Sequence, residues 1–298
     1  MVQSSVGMVG LGIMGSAMSK NLMAAGFQVV GYDVEPGRLR FHTDSGGRSA
    51  NSPIEVAEQV DTLVTSLPSV AALEAVISGV GGLSESRNEN LTVIETSTLP
   101  LTAKVWARDT LAALGVTMLD CPLSGTGAQA QTKDIVMYVS GDQATAVRMA
   151  PVLEGFTRRH YYTGEYGNGS KLKCIANLLV TIHNLSTAEA FLLAKRAGLD
   201  MDLMLEVIGD GAGASRMFQI RGPMMVEGRY DEATMRVEVF QKDIEIIRSF
   251  AQSVHSPTPL FSLSSQFYES AMAQGRASQD LACMLGVLEQ LVDRPVNP

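Results

Sequence analysis

An α/β domain built on a parallel sheet, followed by an all-α domain, is the fold class this sequence predicts, and three observations predict it. Short β-branched and apolar runs alternate with helical periods from residue 5 to about residue 164, the pattern of βαβ units with helices on both faces of a sheet. Beyond the glycine-rich stretch 164–169 the strand signals all but vanish, and helical periods follow one another to the end. The 298 residues exceed one small core and suit two domains of roughly 100–200 residues each. The division is expected at 1–164 and 165–298.

Taken in order, strands are expected at 6–9, 28–32, 61–66, 91–95, 116–120, 135–140 and 161–163. Helices are expected between them at 15–25, 54–59, 70–77, 101–114 and 143–153. After the glycines, 171–196 reads as one helix stopped by Gly198, about 39 Å long at 1.5 Å per residue. Asp200 is placed to cap a helix beginning at Met201. Further helices are expected at 240–253, 260–274 and 278–292, separated by the glycines of 209–213, by Pro257 and Pro259, and by Gly275.

Composition narrows the function classes. The chain is 46% apolar and 18% charged with a formal charge of −8, and it has no run of Lys or Arg; a polyanion finds nothing concentrated to bind, so nucleic acid and anionic membrane are excluded as partners. Cys121, Cys174 and Cys283 are far apart, with no CxxC and no Cys/His cluster. That spacing indicates neither a disulfide framework nor a metal site and suits a reducing compartment. The first strand pattern begins near Ser5, leaving no room for a leader peptide, and the apolar part of 174–182 is far short of a membrane span. The expected location is the cytoplasm.

Gly10-Leu11-Gly12-Ile13-Met14-Gly15 directly follows the first strand pattern and opens a helical one. The three glycines of such a turn do different things. The first makes the tight turn, the second lets a pyrophosphate approach the backbone, and the third lets helix and strand pack closely. Free amides at the helix start then face the phosphates, so the motif predicts a dinucleotide site on a Rossmann-like domain. Asp33 ends the second strand pattern, about 20 residues on, where a carboxylate accepts hydrogen bonds from the adenosine ribose. A carboxylate there repels a 2′-phosphate, which favours NAD over NADP; Arg38 and Arg40 lie nearby and could compensate.

Two further stretches carry chemistry. Asp120-Cys121-Pro122-Leu123-Ser124-Gly125-Thr126-Gly127 follows the 116–120 strand, at the carboxyl edge where open parallel sheets bind ligands. Ser124 and successive backbone amides there can hold a carboxylate; a crossover loop that needs glycine flexibility reads the same way. Gly167-Asn168-Gly169 delivers the chain into the long helix, on which Lys173 and Asn177 stand one turn apart on one face. Lys171, about 200° around the helix from Lys173, faces elsewhere. An amine near pKa 10.4 is a poor base at neutral pH. Desolvation or a neighbouring positive charge brings it towards the range of about 7–8 that acid/base catalysis uses.

Four islands, Gly10 to Gly15, Asp120 to Gly125, Gly167 to Asn177, and Lys242-Asp243, occur in an order and spacing that resembles the 3-hydroxyisobutyrate dehydrogenase-like family of β-hydroxyacid dehydrogenases, relatives of 6-phosphogluconate dehydrogenase. The resemblance spans essentially the whole chain. It implies a Rossmann-like domain and an all-α domain joined by a long interdomain helix, an active site in the cleft, and a homodimer or homotetramer built through the helical part. It further implies that Ser124 and Gly125 hold the carboxylate of a small substrate, with Thr126 beside them, that Lys173 is the general acid/base, and that Asn177 binds the substrate. Thr98 and Lys242 are implied to contact the cofactor, and Leu67-Pro68 to form the loop over its adenosine side. The chain departs from the family pattern at Thr126, where a second glycine is usual, at Ala176, where an asparagine or histidine is usual, and at Pro100, one place early. Thr126 is expected to add a hydroxyl to the pocket or to reshape the anion loop.

The expected reaction is hydride transfer between NAD and a small 3-hydroxy acid, a sugar acid such as threonate included, or reduction of the matching semialdehyde. Imine reduction and a catalytically silent cofactor-binding protein on the same scaffold are the alternatives; Lys173 counts against the first, and Lys173 with Asn177 against the second. Decarboxylation is disfavoured by Ala176. His42, His160, His183 and His255 form no hydrolase pattern and are expected to be structural, and Cys121 to be packing. Arg216, Phe218 and Arg221 are expected either to shape specificity or to lie on a solvated helical face.

Overall fold

The computed structural model describes residues 5–292. The chain divides into two compact units, Met1–Lys173 and Cys174–Pro298. The first contains strands β1 (Ser5–Val9), β2 (Gln28–Tyr32), β3 (Arg48–Ser49), β4 (Thr62–Thr65), β5 (Thr92–Glu95), β6 (Thr117–Asp120), β7 (Leu123–Ser124), β8 (Val136–Val139) and β9 (Arg159–Tyr162). Its helices are α1 (Ile13–Ala24), α2 (Pro36–Asp44), α3 (Pro53–Ala57), α4 (Val70–Ser78), α5 (Leu101–Ala112), α6 (Gly127–Gln131) and α7 (Gln143–Phe156). Helix α8 (Asn168–Arg196) runs from the first unit into the second, which adds α9 (Met201–Asp210), α10 (Arg216–Glu227), α11 (Val237–Ser253), α12 (Pro259–Ala273) and α13 (Met284–Val292).

Six parallel strands in the order β3-β2-β1-β4-β5-β6 form the main sheet, with the reversal of winding between β1 and β4 that makes a ligand crevice at the carboxyl ends. Neighbouring residues along each strand go to opposite faces. Met8, Val64, Ile94 and Leu119 pack in one core with α1 and α7 residues such as Met18, Leu22 and Phe156. Val9, Leu63, Val93 and Met118 pack in another with Val56, Leu73, Ile77 and Leu111. This explains why these strands read as short unbroken apolar runs: both faces are covered.

Strands β8 and β9, expected as part of one sheet, instead form a separate three-stranded sheet with β7. The short strand β7 pairs antiparallel with β8, so the chain folds back after β6 instead of extending the main sheet. Strand β9 begins at Arg159, two residues before the expected 161. The last helix also differs: 278–292 is expected, but α13 starts at Met284. The residues before it turn, form a 3-10 segment at Leu281–Cys283 and are engaged elsewhere, because Gln279 and Ala277 carbonyls accept the Val237 and Glu238 amides and Asp280 accepts from Thr234, Met235 and Ala282. The second unit packs around Phe191, Phe218, Phe240, Phe261 and Tyr268, with Phe191 stacked on Phe218 at 5.4 Å between ring centroids.

Candidate active site

The glycine turn sits at the carboxyl end of β1. Gly10 has φ +91°, and a Cβ there would lie 2.2 Å from the Ser66 carbonyl oxygen; one on Gly15 would lie 1.8 Å from the Gly10 oxygen. Both positions exclude any side chain, whereas Gly12 meets only Arg38 Nη1 at 4.0 Å and opens to empty space. Gly12 is also the N-cap of α1, with no side chain capping its first turn. A dinucleotide fits this cradle: the backbone at Gly12, Ile13 and Met14 is open to a pyrophosphate, and the positive end of α1 favours its charge.

Asp33, buried at the end of β2, is partly committed. Its Oδ2 accepts the Leu11 amide at 2.7 Å, its Oδ1 accepts the Glu35 amide at 2.9 Å, and Arg38 Nη1 is 3.4 Å from both oxygens. The carboxylate therefore braces the glycine turn, and its remaining lone pairs are what a ribose can use. Leu67-Pro68 and Thr98 follow β4 and β5 at the same edge of the sheet: the Leu67 amide donates to Ser97 Oγ at 2.8 Å, and Leu67 Cδ2 comes within 3.4 Å of a Cβ placed on Gly10.

Ser124 lies half-buried in β7, and Gly125 turns the chain with φ +142°. Thr126 caps α6 in a reciprocal box with Gln129, whose Oε1 accepts the Thr126 amide at 3.0 Å. Its hydroxyl is thus engaged in starting a helix. Gly127 holds this loop against the nucleotide turn, since a Cβ there would lie 2.4 Å from Ile13 Cγ2.

The start of α8 is held from outside by β6 and β8. Asp120 Oδ2 accepts the Ser170 amide at 2.8 Å and its Oδ1 accepts the Ser170 hydroxyl at 2.7 Å. Ser140 Oγ accepts the Gly167 and Gly169 amides at 3.2 and 3.0 Å and donates to Asp120 Oδ2 at 3.0 Å. Gly169 permits the approach, because a Cβ would stand 2.9 Å from the Asp120 carbonyl oxygen. Beneath this, fully buried Lys104 pairs with Asp120 at 2.8 Å and Glu95 at 2.6 Å. The contact with Glu95 Oε2 is an ion pair without hydrogen-bond alignment. Burial alone would push the Asp120 carboxyl up; the Lys104 ammonium and the Ser170 bonds outweigh it and hold the group below the usual carboxylate range. Burial likewise favours neutral Lys104, and the two carboxylates outweigh it to keep the ammonium charged. Lys173 is half-buried one turn further along α8, while Lys171 is exposed with Nζ 3.0 Å from Asn168 Oδ1.

In the second unit, buried Asn177 donates to Asp243 Oδ2 at 2.8 Å, and Lys242 pairs with Asp243 Oδ1 at 2.8 Å. One carboxylate thereby orients two expected site residues. Phe218 and Arg221 neither face solvent nor stand open to a substrate: Phe218 is stacked in the core, and Arg221 is a buried partner of Asp280 at 3.1 Å. Cys121 is fully buried, with its thiol pushed well up by that burial. Among the described residues, no group of three or more His, Cys, Asp or Glu is placed to hold a metal, and no helix is long and apolar enough to cross a membrane.

Sequence reasoning overlooked Glu95, Lys104, Ser140 and Ser170, and gave Asp243 no role of its own. A signal existed for Glu95: it and Asp120 end two adjacent apolar strands, where a buried carboxylate demands a cation. Nothing along the chain points to Lys104 as that cation.

Residues 5–164 match the family described as the NAD binding domain of 6-phosphogluconate dehydrogenase, and residues 167–288 match the NAD-binding region of NADP-dependent 3-hydroxyisobutyrate dehydrogenase. An L-threonate dehydrogenase of Cupriavidus necator is 31% identical, over 95% of this chain and 95% of that protein. A chloroplastic glyoxylate/succinic semialdehyde reductase of Arabidopsis thaliana is 27% identical over 97% of this chain and 81% of its own. The crystal structure of a 3-hydroxyisobutyrate dehydrogenase from Salmonella typhimurium superimposes with a TM-score of 0.84 at 30% identity, covering 96% of this chain and all of the other. The chain belongs to the β-hydroxyacid dehydrogenase family typified by 3-hydroxyisobutyrate dehydrogenase, nicotinamide-dependent oxidoreductases that act on CH–OH.

Proposed function

We propose that this chain oxidises a small 3-hydroxy acid with NAD, or reduces the matching semialdehyde, with Lys173 as the general acid/base. The observation that carries the reading is the start of α8: the helix bearing Lys173 is fastened to Asp120, and the same strand end runs on through Pro122 into Ser124. When bound, NAD would supply the hydride acceptor for oxidation, and NADH the hydride donor for reduction. The chain's own residues supply the rest. Ser124 and Gly125, with Thr126 starting the helix behind them, take the substrate carboxylate, which fixes the distance from that group to the reacting carbon. Lys173 Nζ removes the hydroxyl proton in oxidation and returns it in reduction, and Asn177 holds the same oxygen through its amide.

The cofactor residues are Gly10, Leu11, Gly12, Ile13, Met14 and Gly15 at the pyrophosphate, Asp33 at the ribose, Leu67 and Pro68 at the adenosine side, and Thr98 and Lys242 as further contacts. Asp33 supports NAD over NADP, because a 2′-phosphate would meet a buried carboxylate that already braces the turn. Three widely separated, buried cysteines, Cys121, Cys174 and Cys283, support a reducing compartment such as the cytoplasm. A homodimer or homotetramer rests on the resemblance and is checked by light scattering.

The test is absorbance at 340 nm with NAD or NADP against L-threonate and 3-hydroxyisobutyrate, and with NADH against glyoxylate and succinic semialdehyde. Turnover of at least one, faster with the unphosphorylated cofactor, is the expected result. Turnover only of cyclic imines, or tight NADH binding with no turnover at all, would replace this reading with imine reduction or a binding role.

A further inference from the structure

The ions buried beneath α8 are not explained by stability. Two carboxylates, Glu95 and Asp120, share one ammonium, Lys104, and all three side chains are fully buried. Well-packed apolar residues of similar volume are usually as stabilising as such a cluster. What apolar residues cannot do is accept the Ser170 amide and hydroxyl and hold the Ser140 hydroxyl in place. The first turn of any helix leaves amides without intrahelical partners, and at the start of α8 the Gly169 and Ser170 amides go to side chains of other elements. Ser140 takes the Gly167 and Gly169 amides and Asp120 takes the Ser170 amide together with its hydroxyl. The positive end of α8, equivalent to about half a charge, offsets part of the negative charge that one lysine leaves.

We propose that Asp120, held by Lys104 and Ser140, is a positioning residue that caps α8 from a different element and thereby sets where Lys173 stands relative to the Ser124 loop. The proposal rests on Lys173 being the acid/base. Its geometry is short and stiff: Ser170 is three residues, less than one turn, from Lys173, and Asp120 is four residues from Ser124, so the same carboxylate fixes both ends of the substrate's surroundings. Asparagine at 120 cannot serve. Its amide nitrogen would face either the Lys104 ammonium or the donors on Ser170, so the helix start must shift.

Displacement of a reacting group by about 1 Å costs roughly 100-fold in rate. For Asp120→Asn the expected result is therefore a loss of that size in turnover per NADH-binding site, with NADH affinity within about twofold of the parent, since the Gly12 cradle is untouched, and with a larger primary deuterium isotope effect from substrate deuterated at the reacting carbon. Ser140→Ala and Ser170→Ala follow in that order with smaller losses, because the first frees two amides and the second keeps its amide bond to Asp120; these two decide the matter if Asp120→Asn does not fold. A role in folding alone predicts fewer NADH sites per chain but unchanged turnover and isotope effect per site, and that outcome overturns the proposal. Lys173→Ala is measured alongside. If it keeps its turnover, the acid/base reading fails and takes the proposal with it; if it is inactive while the Asp120 and Ser140 variants turn over normally per site, the positioning role alone fails.

Discussion

Replacing Lys104 with methionine keeps the length and bulk of the side chain and removes its charge, leaving Glu95 and Asp120 buried side by side on adjacent strands. Each lies within 2.8 Å of the ammonium, so with an effective dielectric of about 20 each attraction is worth about 6 kcal/mol gross. Desolvation of three ions offsets most of that, and measured losses on removing one partner of a buried pair are about 3–5 kcal/mol. Against a total stability of about 5–15 kcal/mol, this is a severe change, equivalent to a fall of roughly 6–20 °C in the melting temperature of a unit this size. Calorimetry or chemical denaturation followed by circular dichroism measures it. The pH dependence identifies the cause. In the parent, Asp120 is held below its unfolded value, so its contribution is complete above that value and is lost as the pH falls through the folded one. In the variant the ammonium is gone and burial pushes Asp120 up, so the variant regains stability as the pH falls towards 5 and the gap to the parent narrows. A loss under about 1 kcal/mol at pH 7, or a gap that is the same at pH 5 and pH 8, would refute the reasoning.

Gly12→Ala and Gly15→Ala separate binding from folding at the nucleotide turn. Gly12 has open space where its Cβ would go, so the first variant should melt like the parent yet bind NADH at least about tenfold more weakly, ~1.4 kcal/mol; Gly15→Ala drives a Cβ into the Gly10 carbonyl and should lower the melting temperature as well, both read by fluorescence titration and thermal melts. Lys173→Ala should lose about 10²–10⁴ in turnover while NADH titration stays near the parent's. His42 is buried with Nε2 lacking a hydrogen-bond partner among the described residues and Nδ1 3.1 Å from Ser19 Oγ. Burial lowers its pKa, and the backbone of Val29 and Arg48 opposes this without bonding geometry at Nε2. Its contribution is thus complete above the unfolded value near 6.5 and is lost as the pH falls through the folded one, at no more than about 1.4 kcal/mol per pH unit; in His42→Gln, stability measured between pH 7.5 and 5.5 should lose that part of its slope.

How much could be read along the chain depended on what each element asks of its own residues. Strands β2, β4, β5 and β6 were legible because a sheet covered on both faces requires unbroken apolar runs, and α8 because Gly167, Gly169 and Gly198 bracket a long helical period. Strands β3 and β7 have two residues each, too few to show any period. Helix α2, Pro-Gly-Arg-Leu-Arg-Phe-His-Thr-Asp, is polar on most sides and buries only His42, so it lacks the stripe that marks a surface helix. Arg221 shows the limit for side chains: sequence offered a specificity residue or a solvated face, and the fold made it the buried partner of Asp280.

The amino-acid order by itself determined the α/β-then-α architecture, the nucleotide turn and the family, because these rest on period and on glycines whose neighbours lie within a few residues. Tertiary structure alone decided that Lys104, Glu95, Ser140 and Asp120 meet beneath the helix that carries Lys173, and that Asp243 ties Asn177 to Lys242. Capping and charge pairing depend on atoms within about 3 Å of each other, and the residues that supply them here are separated by up to dozens of positions, a nearness that only strand pairing and helix packing create.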